Sequence, residues 1–193
     1  MRTLVLASTS PYRLQLMRQL ELTFHVDAPR YKEQMDQSVS AELLVKHQAL
    51  QKAKSLAEKY EDALIIGSDQ VFVDARHRVL GKPGTQEKAI EQLLEMQGRK
   101  HTFYTGLAIY DSASGENLTE FETFSVSMRE LTEKQIKHYV DKENPVDCAG
   151  SFKIEGLGIA LMEKMAGNDY TSLIGLPLIL LVDMLAQFKV EIL

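Results

Sequence analysis

Apolar residues fall along this chain in short blocks whose spacing changes from continuous, to helical, to alternating. Leu4, Val5, Leu6 and Ala7 form an unbroken apolar run, as in a strand buried on both faces, and Ser8-Thr9-Ser10-Pro11 stops it. Ser10 and Pro11 make an N-cap and first-turn pair for a helix that Leu14, Leu16, Met17 and Leu20 carry to about residue 20. A strand over 22–28 follows, then a polar loop from Pro29 to Val39 that holds Arg30, Glu33 and Asp36. Ser40 caps a long helix over roughly 41–60, in which Leu43, Leu44, Leu50, Ala53, Ala57 and Tyr60 recur at helical spacing. Residues 63–74 read as an apolar strand broken at Gly67-Ser68-Asp69-Gln70 and resumed as a second run.

The second half continues the alternation. A turn at 75–78 leads to Gly81-Lys82-Pro83-Gly84-Thr85, and Thr85 caps a helix through Ala89, Ile90, Leu93, Leu94 and Met96. Residues 102–111 and 117–130 flank Ser112-Ala113-Ser114-Gly115 as a long hairpin. Thr132 opens a helix that buries Ile136, Tyr139 and Val140 and stops at Asn144-Pro145. A short strand at Ile159–Met162, a turn at Gly167–Tyr170 and a final helix from Leu176 to Phe188, with Pro177 in its first turn, complete the pattern. Strands alternating with helices predict an α/β fold, and the hairpin excludes a purely parallel sheet. The expected architecture is a mixed, strongly twisted central sheet flanked by helices on both sides.

Composition narrows this little. At 193 residues and 45% hydrophobic content, the chain fits one domain, 1–193, or two lobes sharing a core. A net charge of −5 argues against general nucleic-acid or anionic-membrane binding, because both need a basic surface field. The single cysteine, Cys148, excludes an internal disulfide and fits a reducing compartment. It reads as a nucleophile or a core thiol, and Asp147 beside it disfavours a thiolate. The N-terminal apolar run is too short for a signal-peptide core, and Leu173–Leu185 is interrupted by Pro177 and Asp183, so a cytoplasmic protein without a membrane span is expected. The five histidines have no metal-ligand spacing.

The candidate chemistry sits in loops. Asp69, at the apparent strand break near a sheet edge, is either a turn residue bonding its own backbone or a reactive carboxylate. Ser8 to Arg13 offers hydroxyls and N–H groups at a helix N-terminus, which attracts phosphate. Lys82, between Gly81 and Pro83, is held on a stiff loop and reads as an anion grip or an incidental turn lysine. Lys153 stands alone among small residues in Cys148–Phe152. A dinucleotide fingerprint and a Walker A sequence are absent, and no His is placed to activate Ser8 or Ser68.

Taken together, Ser8-Thr9-Ser10-Pro11-Tyr12-Arg13, Gly67-Ser68-Asp69-Gln70, Gly81-Lys82-Pro83, Ala149-Gly150-Ser151-Phe152-Lys153 and Gly175-Leu176-Pro177-Leu178 resemble the Maf family of nucleoside triphosphate pyrophosphatases. The likeness covers nearly the whole chain. It implies a two-lobed α/β fold, similar to inosine triphosphatases, with the active site in a cleft. It also implies hydrolysis between the α and β phosphates with a divalent cation, Mg or Mn. By the same resemblance Asp69 is the essential acid, as proton acceptor or metal ligand, and Ser8, Arg13, Lys52 and Lys82 bind the triphosphate. Glu33 matches an acidic position linked to the metal, with Lys32 where many relatives carry a second acid.

Tyr12, Gln70 and Lys153 are similar to the branch that prefers 7-methyl-GTP, and mark the specificity positions. Methylation at N7 makes the purine cationic, and an aromatic ring on a cation gains roughly 0.5–2 kcal/mol. Gln70 offers a donor and an acceptor to a base or ribose edge. The resemblance leaves two alternatives: the same reaction on UTP, dTTP or CTP, or a weakly catalytic nucleotide-binding regulator of cell division. A homodimer follows from analogy alone.

Overall fold

The Leu4–Ala7 run is buried on both faces, because helices cover both sides of the sheet to which it belongs. In chain order the elements are β1 (Thr3–Ala7), α1 (Pro11–Arg18), β2 (His25–Asp27), α2 (Ala41–Lys54), β3 (Ala63–Val73), β4 (Val79–Leu80) and α3 (Gln86–Met96). They continue with β5 (Lys100–Asp111), β6 (Asn117–Met128), α4 (Glu133–Glu143), β7 (Met162–Gly167), α5 (Tyr170–Ile174) and α6 (Leu178–Gln187). The strands hydrogen-bond in the order β2-β1-β3-β5-β6-β7, with β4 on β3. β1 is parallel to β2 and β3, whereas β3–β4 and β6–β7 are antiparallel, so the sheet is mixed as expected. This computed structural model describes residues 2–34 and 38–193. Asp36, expected in the polar loop, lies outside the described residues.

The chain divides into two compact units. The first comprises Met1–Gln70, Tyr104–Glu122 and Asp169–Leu193. Here the period of two along β1 and β3 sorts side chains between two cores. Leu4, Leu6, Leu64 and Ile66 pack with Leu16 and Met17 of α1 and Leu181, Met184 and Leu185 of α6. Val5, Ala7, Ala63 and Ile65 pack instead with Ala53 of α2 and Leu56. The register that pairs Leu4 with Leu64 and Leu6 with Ile66 keeps each set on its own face.

The second unit comprises Val71–Phe103 and Thr123–Asn168. Its core includes Phe72, Phe103 and Phe152 in mutual edge-to-face contacts, with ring centroids 4.7–5.7 Å apart. Gly150 makes this possible: its φ of 74° is left-handed, and a Cβ there would press against the Phe72 ring. His101 packs on Phe72 and is held neutral in direction, since burial lowers its pKa. Thr132 and Gln135 form a reciprocal capping box at the start of α4.

Several expectations are corrected. β3 runs unbroken through Gly67–Gln70, so Asp69 lies within a central strand and not at a strand break on a sheet edge. α2 ends at Lys54, and β2 keeps only three residues. Ile159 lies in a 3₁₀ turn over Leu157–Leu161, and the strand begins at Met162. The turn expected at Gly167–Tyr170 leads into the short helix α5, and Pro177 precedes α6 as its N-cap. Among the described residues no helix is long and apolar enough to cross a membrane.

Candidate active site

The first unit gathers most of the marked residues around the far half of β3. Parallel pairing with β1 stops at Gly67, which leaves Ser68, Asp69 and Gln70 beyond the end of β1. In parallel sheets this C-terminal end of the strands is where binding groups collect. α2 lies almost flush on the sheet there. A Cβ at Gly67 would run into the Ala49 carbonyl oxygen, and one at Gly106 of β5 into the Val45 carbonyl oxygen. These two glycines set the height of α2, and so the reach of Lys52 from its last turn.

Lys52 Nζ is buried and meets three acceptors: Asp69 Oδ1 at 2.6 Å, Glu33 Oε1 at 2.5 Å and the Ser68 carbonyl at 3.4 Å. Asp69 is only 4% exposed. Burial pushes its carboxyl above the ordinary carboxylate value, against the pull of Lys52 and Arg13. Desolvation outweighs the neighbouring cations. Among the described residues the hydrogen bonds to Asp69's side chain end on Oδ1, which leaves Oδ2 uncommitted.

The Ser8–Arg13 loop is more self-contained than its sequence suggests. Ser8 N donates to Asp27 O, Ser10 N donates to the buried Ser8 Oγ (3.1 Å), and Arg13 N donates to Ser10 Oγ, the N-cap of α1. What the loop can still present includes the Ser8 hydroxyl proton and the Arg13 side chain. Arg13 Nε donates to the Gly175 carbonyl at 2.8 Å, and Ser68 Oγ donates to the same carbonyl at 2.8 Å. With Nε committed, the two terminal nitrogens of the guanidinium are what Arg13 can offer an anion. Gly175 has φ 120°, the region that favours glycine.

Gln70 is not the open donor-and-acceptor that its sequence position suggests. Its Nε2 donates toward Thr105 Oγ1 (2.9 Å), Ser172 O (2.8 Å) and Leu173 O (3.2 Å). Two backbone carbonyls fix which end of the amide is nitrogen, and three acceptors exceed its two protons. Only Oε1 is left for a ligand, so Gln70 reads as an acceptor. Tyr12, in the first turn of α1, is 42% exposed and free to present its ring.

Lys82 and Lys153 belong to the second unit. Lys82 is exposed on the loop before α3. Lys153 Nζ donates to Glu143 O at 2.9 Å, while its backbone N donates to the Tyr139 hydroxyl at 3.0 Å. In the same unit burial raises the Cys148 thiol, which disfavours a thiolate nucleophile. Sequence reasoning missed Thr105, Ser172 and the Gly175 carbonyl. Gly175 was inside a quoted motif without a role, and nothing near Thr105 could have marked it.

The chain is 66% identical over 193 residues to the 7-methyl-GTP pyrophosphatase of Syntrophotalea carbinolica, covering all of this chain and 98% of that one. It is 45% identical to the 7-methyl-GTP pyrophosphatase of Colwellia psychrerythraea, covering all of this chain and 96% of that one. A solved HAM1 protein from Coxiella burnetii shares the fold, with a TM-score of 0.50 at 18% identity over 66% of this chain and 73% of that one. The family model for Maf-like protein matches residues 3–188, and the chain belongs to that family.

Proposed function

We propose that this chain hydrolyses 7-methyl-GTP to 7-methyl-GMP and pyrophosphate. The observation that carries the reading is the buried Asp69–Lys52 pair beyond the end of β1, joined by the exposed Glu33, in a chain 66% identical to a relative of that name. Water attacks the α phosphorus, a new P–O bond forms, and the bond to the oxygen bridging the β phosphorus breaks. Asp69 accepts the water's proton through Oδ2; its raised pKa makes it a stronger proton acceptor than an exposed carboxylate. Lys52 and the terminal nitrogens of Arg13 neutralise charge building on the phosphate oxygens, and Ser8 donates its hydroxyl proton to one of them. Lys82, in the second unit, is a triphosphate-binding residue by the family resemblance alone.

The residues fit a divalent cation. Lys52 Nζ reaches both Asp69 and Glu33, so the two carboxylates face a common point, and hard oxygen donors suit Mg or Mn. Among the described residues no group of three His, Cys, Asp or Glu side chains gathers; Asp69 and Glu33 would be the protein's donors to such an ion, and Asp69 would then act as its ligand in place of proton acceptor. When bound, such a cation supplies positive charge at the reacting phosphates.

Tyr12 stacks on the cationic base, Gln70 Oε1 accepts from its edge, and Lys153 is the third specificity position. The working compartment is the cytoplasm. Incubation with 7-methyl-GTP, GTP, UTP, dTTP and CTP in Mg²⁺ or Mn²⁺ tests this. The expected result is pyrophosphate release, fastest from 7-methyl-GTP. Orthophosphate release, or a pyrimidine preference, overturns it. Tyr12→Ala should cut the preference for 7-methyl-GTP over GTP by about 2- to 30-fold.

A further inference from the structure

The Gly175-Leu176-Pro177-Leu178 stretch supplies one carbonyl to the site, yet it also opens a helix that has no cap of its own. α6 starts behind Pro177, whose side chain can accept nothing, so the first N–H groups of α6 need partners from elsewhere. They find them at the start of α5. Leu178 N donates to Thr171 Oγ1 at 2.8 Å, and Ile179 N donates to Asp169 Oδ2 at 2.9 Å. Asp169 Oδ1 accepts in turn from Thr171 N at 2.8 Å and from Thr171 Oγ1 at 2.5 Å. Ser172 Oγ donates to Asp169 O at 2.7 Å. Asp169 and Thr171 are each 4% exposed. Two buried side chains thus cap both helices and close residues 172–177 at each end.

The carbonyls inside that closed segment are the ones the site leans on. Ser172 O and Leu173 O hold the Gln70 amide, and Ser172 O also takes the Thr105 hydroxyl proton at 2.8 Å. Gly175 O holds Arg13 Nε and Ser68 Oγ. None of these acceptors is a side chain that could adjust alone; each moves only with the backbone between α5 and α6.

We infer that Asp169, acting through Thr171, is a positioning residue for the pyrophosphatase reaction: it fixes the carbonyls that aim Arg13 at the triphosphate and hold Gln70 at the base. The inference rests on the reading that Arg13 and Gln70 meet the nucleotide. Asp169 itself touches neither substrate nor reacting atoms. Its carboxylate is suited to the task because it accepts from Thr171 and Ile179 on opposite oxygens, whereas an amide has a single accepting oxygen and loses one of the two ends.

The test is a double-mutant cycle of Asp169→Asn with Arg13→Ala, reading kcat and KM separately on 7-methyl-GTP and GTP, with thermal melting as a control. Alone, Asp169→Asn should lower kcat/KM about 10- to 100-fold, as expected for a displaced positioning group, and narrow the preference for 7-methyl-GTP. In the Arg13→Ala background its further effect on kcat/KM should be clearly smaller, about 2- to 10-fold, because only the route through Gln70 remains. An equal loss in both backgrounds, or no loss in a folded Asp169→Asn protein, overturns the inference. Full activity in Arg13→Ala alone removes the reading beneath it, and the inference falls with that reading. Should Asp169→Asn not fold, Thr171→Ser keeps the hydroxyl and should keep the kinetic constants, while Thr171→Val removes it and should reproduce the loss. Equal activity of the Thr171 variants also overturns the proposal.

Discussion

Two buried aspartates in the first unit each sit against a cation, and they titrate in opposite directions. Asp111, at the end of β5, takes both terminal nitrogens of Arg2 on its two oxygens at 2.5 and 2.6 Å, and the N–H groups of Ala113 and Ser114 as well. The Arg2 hydrogen bonds hold its carboxyl below the ordinary carboxylate range, and Arg2 is raised in return. Asp69 has Lys52 on one oxygen, and burial lifts it. What separates the two is how fully the carboxylate is satisfied. A carboxylate with both oxygens paired is part of the scaffold; one that is desolvated and paired on a single oxygen is prepared to take a proton.

The strongest way to break this comparison is Asp69→Asn. If the distinction holds, turnover falls by about 10²–10⁴-fold while thermal melting shows a folded protein. Near-normal turnover would put Asp69 on the structural side with Asp111. Next in size is Arg2→Ala, which should cost about 1–2 kcal/mol of stability in urea unfolding, kept low because Arg2 is about a third exposed, and leave kcat unchanged. A fall in kcat without loss of stability would contradict the scaffold role.

The smallest effect is the pH dependence, and its sign differs between the two sites. Asp111 is depressed in the folded state, so its stabilisation is present above the ordinary carboxylate pKa of 3.8 and is lost as pH falls through the lower folded value. Asp69 is raised, so the folded state holds its proton longer, and stability declines as pH rises from 3.8 through the folded value. Arg2→Ala should therefore flatten the acid side of the stability profile. Asp69→Asn should remove the decline above it. Urea midpoints measured from pH 3 to pH 7 check both, and identical slopes in the two variants would erase the distinction.

The local signals were readable from sequence because they are local. Ser10, Ser40, Thr85 and Thr132 cap the helices they were assigned, each side chain accepting from the N–H three residues on. The mixed sheet followed from the hairpin formed by β5 and β6. What failed was the break at Gly67–Gln70. A Gly-Ser-Asp run has weak strand preference, but the glycine is there to admit the backbone of α2, and the strand survives because its packing outweighs propensity. Lys52 could not be told from Lys46 or Lys54 by spacing either, since the choice depends on how low α2 rides on β3 and β5. Only the family resemblance selected it. The closure of 172–177 by Asp169 and Thr171 was invisible for the same reason, because its hydrogen bonds join one helix start to another.

The locked amide of Gln70 has an evolutionary consequence. A lineage that replaces this residue with a shorter one alters more than the contact offered to a base, because it also removes the donor shared by Thr105 Oγ1 and the carbonyls of Ser172 and Leu173, leaving Thr105 and Ser172 only the bond between them. Substrate preference at this position is therefore not inherited one codon at a time. A switch to another nucleotide has to pass through companion changes on β5 and α5, and ancestral intermediates carrying only the first step are expected to be poor enzymes for either base.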